Sequence, residues 1–263
     1  MSANASHQGW RRQCDEHGDV APCSVNYQSR DIPSYEIYAL NYAGPAVSPL
    51  ALLLWLRGWD EMIERYYFIW CVRDGGEAIV VDCGVAPSVA RERKMANYVS
   101  PSEVLSRIGV DAASVRTLLL SHIHWDHVSG VELFPNATVY VQEEEFRFWI
   151  HDPIAGYPPL KHLTDPRGNA YLAGLEGTER LRLVRGDSAV VPGIELLLAP
   201  GHSPALQVVS VNTAMGTAIL GSDCAHLARN YHEHWPSCFM MDMVAWMKSF
   251  DKVKRHASSP ELL

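Results

Sequence analysis

The chain has 263 residues, of which 48% are hydrophobic and 20% charged, and its formal net charge is −8 at pH 7. That length provides one sizeable core or at most two small domains, and the composition excludes a disordered chain. The acidic balance argues against nucleic acid as a partner, because such proteins present a basic face.

Residues 1–33 show no hydrophobic periodicity and read as a flexible leader, with a single domain predicted over 34–263. The polar start MSANASHQGWRRQCDEHGD lacks the apolar core of a secretory signal. The most apolar stretch, Ala46 to Leu56, falls short of the roughly 20 residues needed to span a bilayer. Cys14, Cys23, Cys71, Cys83, Cys224 and Cys238 form no CxxC pair and read as thiols in a reducing compartment. Together these features predict a cytoplasmic protein without a membrane span.

Ordered structure is expected from Tyr35, whose run to Leu40 alternates like an edge strand. The apolar run Pro45 to Trp59 follows, read as a lip over a substrate cleft or as the contact of a homodimer. Tyr66–Val72 and Glu77–Asp82 read as strands joined by a tight turn at Asp74-Gly75-Gly76. Ser100-Pro101-Ser102-Glu103 opens a helix that Gly109 closes. Val115–Leu120 suits a buried strand, Thr138–Val141 another, and Glu143–Ile150 a helix. His151–Gly177 reads as a long surface excursion with one short helix. Strands return at Leu181–Val184, Ile194–Ala199, Gln207–Val211 and Ala218–Leu220, before an amphipathic helix over Asp242–Arg255.

The chemistry concentrates in His122-x-His124-x-Asp126-His127, placed where the strand ending at Leu120 delivers the chain. Imidazole nitrogen and carboxylate oxygen are the donors that suit zinc and similar ions. In an extended segment His122 and His124 share one face, so both rings can reach one ion. A turn after them can carry Asp126 and His127 to a second. Two further strand ends contribute His202, after Ala199-Pro200-Gly201, and Asp223, after Leu220-Gly221-Ser222.

In that order, HxHxDH followed by a strand-end Gly-His and a strand-end Ser-Asp, the pattern resembles the metallo-β-lactamase superfamily across about residues 35–263. The early strand-end Asp82 also matches, as a support for the first metal loop. The resemblance implies an α/β fold of the αββα four-layer sandwich type with two divalent metal ions, zinc foremost. It assigns His122, His124 and His202 to the first metal, Asp126 and His127 to the second, and Asp223 to both. A histidine at 124 favours hydrolysis over the di-iron redox branch.

The Tyr35–Ala43 segment and Val81-Asp82-Cys83-Gly84-Val85 are similar to N-acyl homoserine lactonases, which implies a hydroxide that opens a small-molecule lactone or similar ester. Asp126 and His226 are the candidate catalytic side chains. His226 stands three residues after Asp223, where that family carries a tyrosine that polarises the substrate carbonyl. The family's last histidine, about forty residues beyond the bridging aspartate, has no counterpart before Leu263. His256 suits a helix C-terminus instead, so the second metal position is expected to be the weaker. A glyoxalase-like thioesterase, a phosphodiesterase and a silent metal-binding relic are the competing readings. The first is disfavoured by Gly-His-Ser-Pro at 201–204, the second by the acidic charge.

Overall fold

The structure, a computed structural model, describes residues 32–263; the expected leader, apart from Ile32 and Pro33, lies outside the described residues. Ten strands among the described residues form two sheets. The first is mixed, in the spatial order β1 (Glu36–Pro49), β2 (Met62–Arg73), β3 (Ile79–Val81), β4 (Thr117–Leu119), β5 (Thr138–Gln142), β6 (Leu181–Val184). Its first three strands pair antiparallel and the remainder parallel. The second sheet is antiparallel, in the order β10 (Gly216–Leu220), β9 (Gln207–Thr213), β8 (Ile194–Leu198), β7 (Ser188–Val191).

Side chains that alternate along each strand sort into separate apolar layers. Ile79 and Val81 of β3 and Leu119 of β4 meet Ile194, Leu196, Val209 and Val211 between the two sheets. Val80 and Leu118 point the other way. There they pack with Val89 of helix α1 (Pro87–Glu92), Leu105 of α2 (Pro101–Ser106), Phe146 of α4 (Glu143–His151) and Leu172 of α6 (Pro166–Gly174). On the outer face of the second sheet, Leu197, Val208 and Ile219 pack against Trp246, Phe250 and Val253 of α8 (Met243–His256). The result is the expected αββα sandwich. The helices α3 (Trp125–Val128), α5 (Pro158–Lys161) and α7 (Ala228–Glu233) are short connectors. No described helix is long and apolar enough to cross a membrane. Among the described residues, Cys71, Cys83, Cys224 and Cys238 form no disulfide with one another.

Three expectations need correcting. First, the 45–59 run is not a detached lip. Its start completes β1, and Leu50, Ala51, Leu53 and Leu54 are buried. The following backbone is tied to the 230–238 segment. Cys238 N donates to the Leu52 carbonyl (2.8 Å), Trp55 N to that of Pro236 (2.8 Å), and Asn230 Nδ2 to that of Leu53 (2.7 Å). Val47 near its start and Trp55, Leu56 and Trp59 at its end are exposed. Four aliphatic side chains within five residues are worth more in the interior than at a rim.

Second, 151–177 holds two helices rather than one. In α6 the Asp165 carboxylate accepts from Gly168 N (3.0 Å) and Pro166 occupies the first turn, a cap signal present in the sequence. Third, β4 ends at Leu119, one residue earlier than expected. The motif opens on extended loop backbone at His122, and its Asp126 and His127 lie in α3, the expected turn.

The expected helix at the C-terminal end is present and fixes the loop before His202. Asp242 caps α8 by accepting from Ala245 N (2.9 Å). Met241 N and Asp242 N both donate to the Gly201 carbonyl (2.7 and 2.9 Å). Gly201 has φ +137°, and a Cβ there would lie 2.5 Å from Trp246 Cα. Gly201→Ala is therefore expected to cost about 2–4 kcal/mol, combining backbone strain with a collision against helix backbone. Urea unfolding measures it. A loss below about 1 kcal/mol would show that α8 yields without cost and that the loop is not clamped.

Candidate metal centre

The loop after β4 is anchored before it presents any ligand-type side chain. Ser121 N and Ser121 Oγ both donate to the Asp82 carboxylate, each at 2.8 Å. Asp82 itself sits at φ +58°, where the end of β3 turns its side chain towards this loop. His122 is fully buried, and His124 is the extended residue that opens α3. The single turn of α3 swings Asp126 and His127 back towards Asp82, whose Oδ2 accepts from His127 Nδ1 at 2.7 Å. The Tyr42 hydroxyl holds the turn by donating to the Asp126 carbonyl (2.9 Å).

Three rings converge. His202 Nε2 lies 3.2 Å from His122 Nε2 and 2.9 Å from His124 Nδ1. The outer bonds decide where the protons sit. His202 Nδ1 faces the Phe239 carbonyl at 2.5 Å and must donate to it. The Ser121 hydroxyl already donates to Asp82, so the His122 Nδ1 beside it at 2.9 Å donates in turn. Both Nε2 atoms therefore carry lone pairs directed at the same point. Outer partners of this kind fix the tautomers of metal-binding imidazoles. The exception is His124, whose outer Nε2 is buried with no partner among the described residues, the ring lying edge-on to Trp149 (centroids 5.2 Å).

Asp223, from the end of β10, faces both halves of the cluster. Its Oδ2 lies 3.3 Å from His202 Nε2 and 4.0 Å from His122 Nε2, while its Oδ1 lies 3.6 Å from His127 Nε2. One donor atom from each of His122, His124, His202 and Asp223 falls within 4.8 Å of the others. His127 Nε2 is 3.8 Å from Asp126 Oδ1, so Asp126, His127 and Asp223 make a neighbouring group. His226 Nε2 approaches Asp223 Oδ2 at 3.3 Å, on the side of His202 rather than of His127. His256 lies exposed in the last turn of α8, with Nδ1 2.8 Å from the Lys252 carbonyl. His234 packs on Trp246 and Phe250.

The electrostatics divide the groups in two. Burial, reinforced by the neighbouring imidazoles, holds His122 and His124 well below the ordinary histidine range, and burial takes His202 to about 4. These rings are neutral at pH 7. Burial alone would also depress His127, but Asp82, Asp126 and Asp223 outweigh it and raise its pKa well above the usual value. Burial raises Asp126, whereas Asp223, despite burial, is held well below the carboxylate range by His226, His127 and His202. Lone pairs of neutral rings set 2.9–3.2 Å apart repel, and a shared cation relieves that repulsion. The donor set therefore fits a divalent metal.

A fully buried residue that the motif did not reveal joins the two histidine-bearing loops. Glu145 Oε1 accepts from Ile123 N (3.1 Å) and Trp149 Nε1 (2.7 Å), and its Oε2 from Ser203 Oγ and Ala205 N (both 2.9 Å). Its signal was a carboxylate four residues before Trp149, on the apolar stripe of α4.

Comparison with known proteins agrees with this architecture. Residues 62–261 match the Metallo-beta-lactamase superfamily. An N-acyl homoserine lactonase of Bacillus thuringiensis is 27% identical over 157 residues, covering 59% of this chain and 54% of the relative. A hydroxyacylglutathione hydrolase of Saccharophagus degradans is 24% identical over 174 residues, covering 63% and 52%. The chain thus spans about half the length of these curated relatives. Among solved structures, AidC, a dizinc quorum-quenching lactonase in complex with a product, superposes with a TM-score of 0.68 at 20% identity, covering 86% of this chain and 84% of that one. With the family match spanning most of its length, the chain belongs to the metallo-β-lactamase superfamily.

Proposed function

We propose that this chain is a metal-dependent hydrolase that opens a lactone or a similar carboxylic ester. The observation that carries the reading is the two-sided placement of Asp223, one oxygen turned to His202 and His122 and the other to His127. In this reading His122, His124 and His202 hold one ion, Asp126 and His127 a second, and Asp223 both, with zinc the favoured metal. Bound there, divalent ions would supply Lewis-acid polarisation of a carbonyl and a water of lowered pKa. The similarity to N-acyl homoserine lactonases supports the choice of substrate. The similarity to a hydroxyacylglutathione hydrolase supports a thioester as the second choice.

The chain's own side chains perform the remaining tasks. The Phe239 carbonyl and the Ser121 hydroxyl keep the His202 and His122 protons on the outer nitrogens. Asp82 orients His127 through Nδ1. Asp223 and Asp126 retain side-chain exposures of 23% and 21%, against 0% for His122, so the cluster opens to substrate on the aspartate side. His226 borders that opening with the Phe239 ring (centroids 5.7 Å), positioned to donate a hydrogen bond to a carbonyl oxygen. With Leu50, Leu53 and Leu54 serving the interior, a homodimer contact through the 45–59 run would have to use its exposed side chains, Trp55, Leu56 and Trp59 foremost.

A panel of lactones of graded acyl length, with an oxoester and a thioester, tests the reading in the presence and absence of chelator. Chelator-sensitive turnover fastest on a lactone is expected; chelator-insensitive turnover overturns the mechanism, and a thioester preference overturns the substrate. His226→Phe is expected to lower kcat about 10–100-fold while metal content stays at the wild-type level; parallel losses of rate and metal would make it structural. Asp82→Asn removes the anion behind His127 and is expected to weaken metal binding at the Asp126–His127 position about 10–100-fold. Metal analysis after graded dialysis reads that change, and unchanged retention of both ions would contradict the role given to Asp82.

A further inference from the structure

Strand β2 carries one residue whose chemistry the proposed reaction does not use. Its inward face runs Ile63, Arg65, Tyr67, Ile69, Cys71, with the last two fully buried in the core. Arg65 is thus a cation on an otherwise apolar and aromatic face. Its Nε is buried and has no hydrogen-bond partner among the described residues.

One ring contact and the reach of its charge locate this guanidinium beside the metal-ligand cluster. Its Cζ lies 5.9 Å from the centroid of Phe239, the residue whose carbonyl holds His202 and whose ring borders His226. Asp126 feels its charge, as does Tyr67, the next residue along the same face. Tyr67 packs at 6.0 Å on Trp125, between His124 and Asp126 in sequence. Arg65 therefore borders the cluster between the Asp126 side and the His226–Phe239 side.

A buried guanidinium donor without an acceptor is costly, more so than a neutral donor. A second cation, Arg93, is spent otherwise, stacked at 3.9 Å on Trp125 and donating to the His162 carbonyl. Because Nε is covered by protein, the two terminal nitrogens, with no hydrogen bond found among the described residues, are the edge Arg65 presents, and together they form the end-on fork that matches a carboxylate. One such fork fits one carboxylate, and on a chain of net charge −8 this cation beside the cluster is a selective feature rather than part of a general anion field.

We infer that Arg65 is a specificity residue that binds a carboxylate on the substrate, remote from the scissile carbonyl, so that the preferred lactone or ester is an anionic one. This rests on the ester-hydrolase reading and narrows its substrate class.

The test has two arms. In the first, kcat/KM is measured for a lactone whose acyl chain ends in a carboxylate and for its methyl ester, on wild type, Arg65→Gln and Arg65→Lys. Wild type is expected to prefer the carboxylate. The ratio of the two values is expected to fall about 10–100-fold in Arg65→Gln, through KM, and by less in Arg65→Lys, which keeps the charge but not the fork. An unchanged ratio, or a wild type that prefers the ester, overturns the inference.

In the second arm, valerate and glutarate are titrated calorimetrically into the metal-loaded protein. Both offer one carboxylate to the metals, but only glutarate has a second for Arg65. Glutarate is expected to bind wild type at least about tenfold tighter, and Arg65→Gln to lose that margin. Equal binding of the two acids by wild type overturns the inference. A glutarate margin without turnover of any lactone or ester would retain the carboxylate site and reject the hydrolase reading instead. If Arg65→Gln does not fold, Arg65→Lys serves both arms.

Discussion

The centre depends on a hydrogen-bonded carboxylate that touches none of the proposed substrate. His122 and His124 leave the first sheet, and His202 leaves the second. Their mutual distances are therefore set by how the sheets are spaced. Glu145 spans that gap, binding Ile123 between the first two histidines with one oxygen, and Ser203 and Ala205 beyond the third with the other. Removing a carboxylate from water costs several kcal/mol. Burial accordingly raises its pKa, and four donors work against that rise. A group so buried and so fully satisfied tolerates little displacement, and it passes that rigidity to both histidine loops.

Asp82 plays the complementary part on the other side. It fixes Ser121 through backbone and hydroxyl, and orients His127. Ser121 in turn aligns His122 and accepts from Ser222 Oγ at 2.8 Å, immediately before Asp223. A chain of short polar contacts thus joins the ends of β3, β4 and β10. The apolar layer between the sheets supplies cohesion, whereas these two carboxylates convert it into a defined geometry.

Much of this was legible in the sequence, for reasons that can be named. The HxHxDH motif, Gly201-His202 and Ser222-Asp223 announce themselves because their side chains are chemically unusual at strand ends. The apolar β-branched runs marked the buried strands, since both faces of β3, β4 and β9 are covered. What escaped were residues whose meaning is relational. Glu145 sits in a run of three glutamates, and only its burial separates it from Glu144. Arg65 reads as an ordinary charge until the pairing of β2 places it on the face of Ile69 and Cys71. The leucines at 50–54 looked like a rim because no local pattern shows that residues near 235 cover them. Asp165-Pro166 was readable as a cap but lay within a stretch whose Pro and Gly content suggested a loop.

The two proposed metal positions differ in kind as well as in number of donors. The first is built from rings kept neutral by burial, with the proton already assigned to the outer nitrogen of His122 and of His202. An ion entering there displaces no proton from those rings. At the second, three aspartates raise the pKa of His127, so the same carboxylates that attract a cation also strengthen the proton that competes with it. His226 reinforces the contrast, because it approaches Asp223 from the His202 side and adds nothing beside His127. Protonation therefore works against the second position at a higher pH than the first. The asymmetry follows from which side of Asp223 each histidine faces. Arg65 borders this arrangement between Asp126 and the His226–Phe239 side, where a substrate anion would offset its charge without displacing either set of ligands.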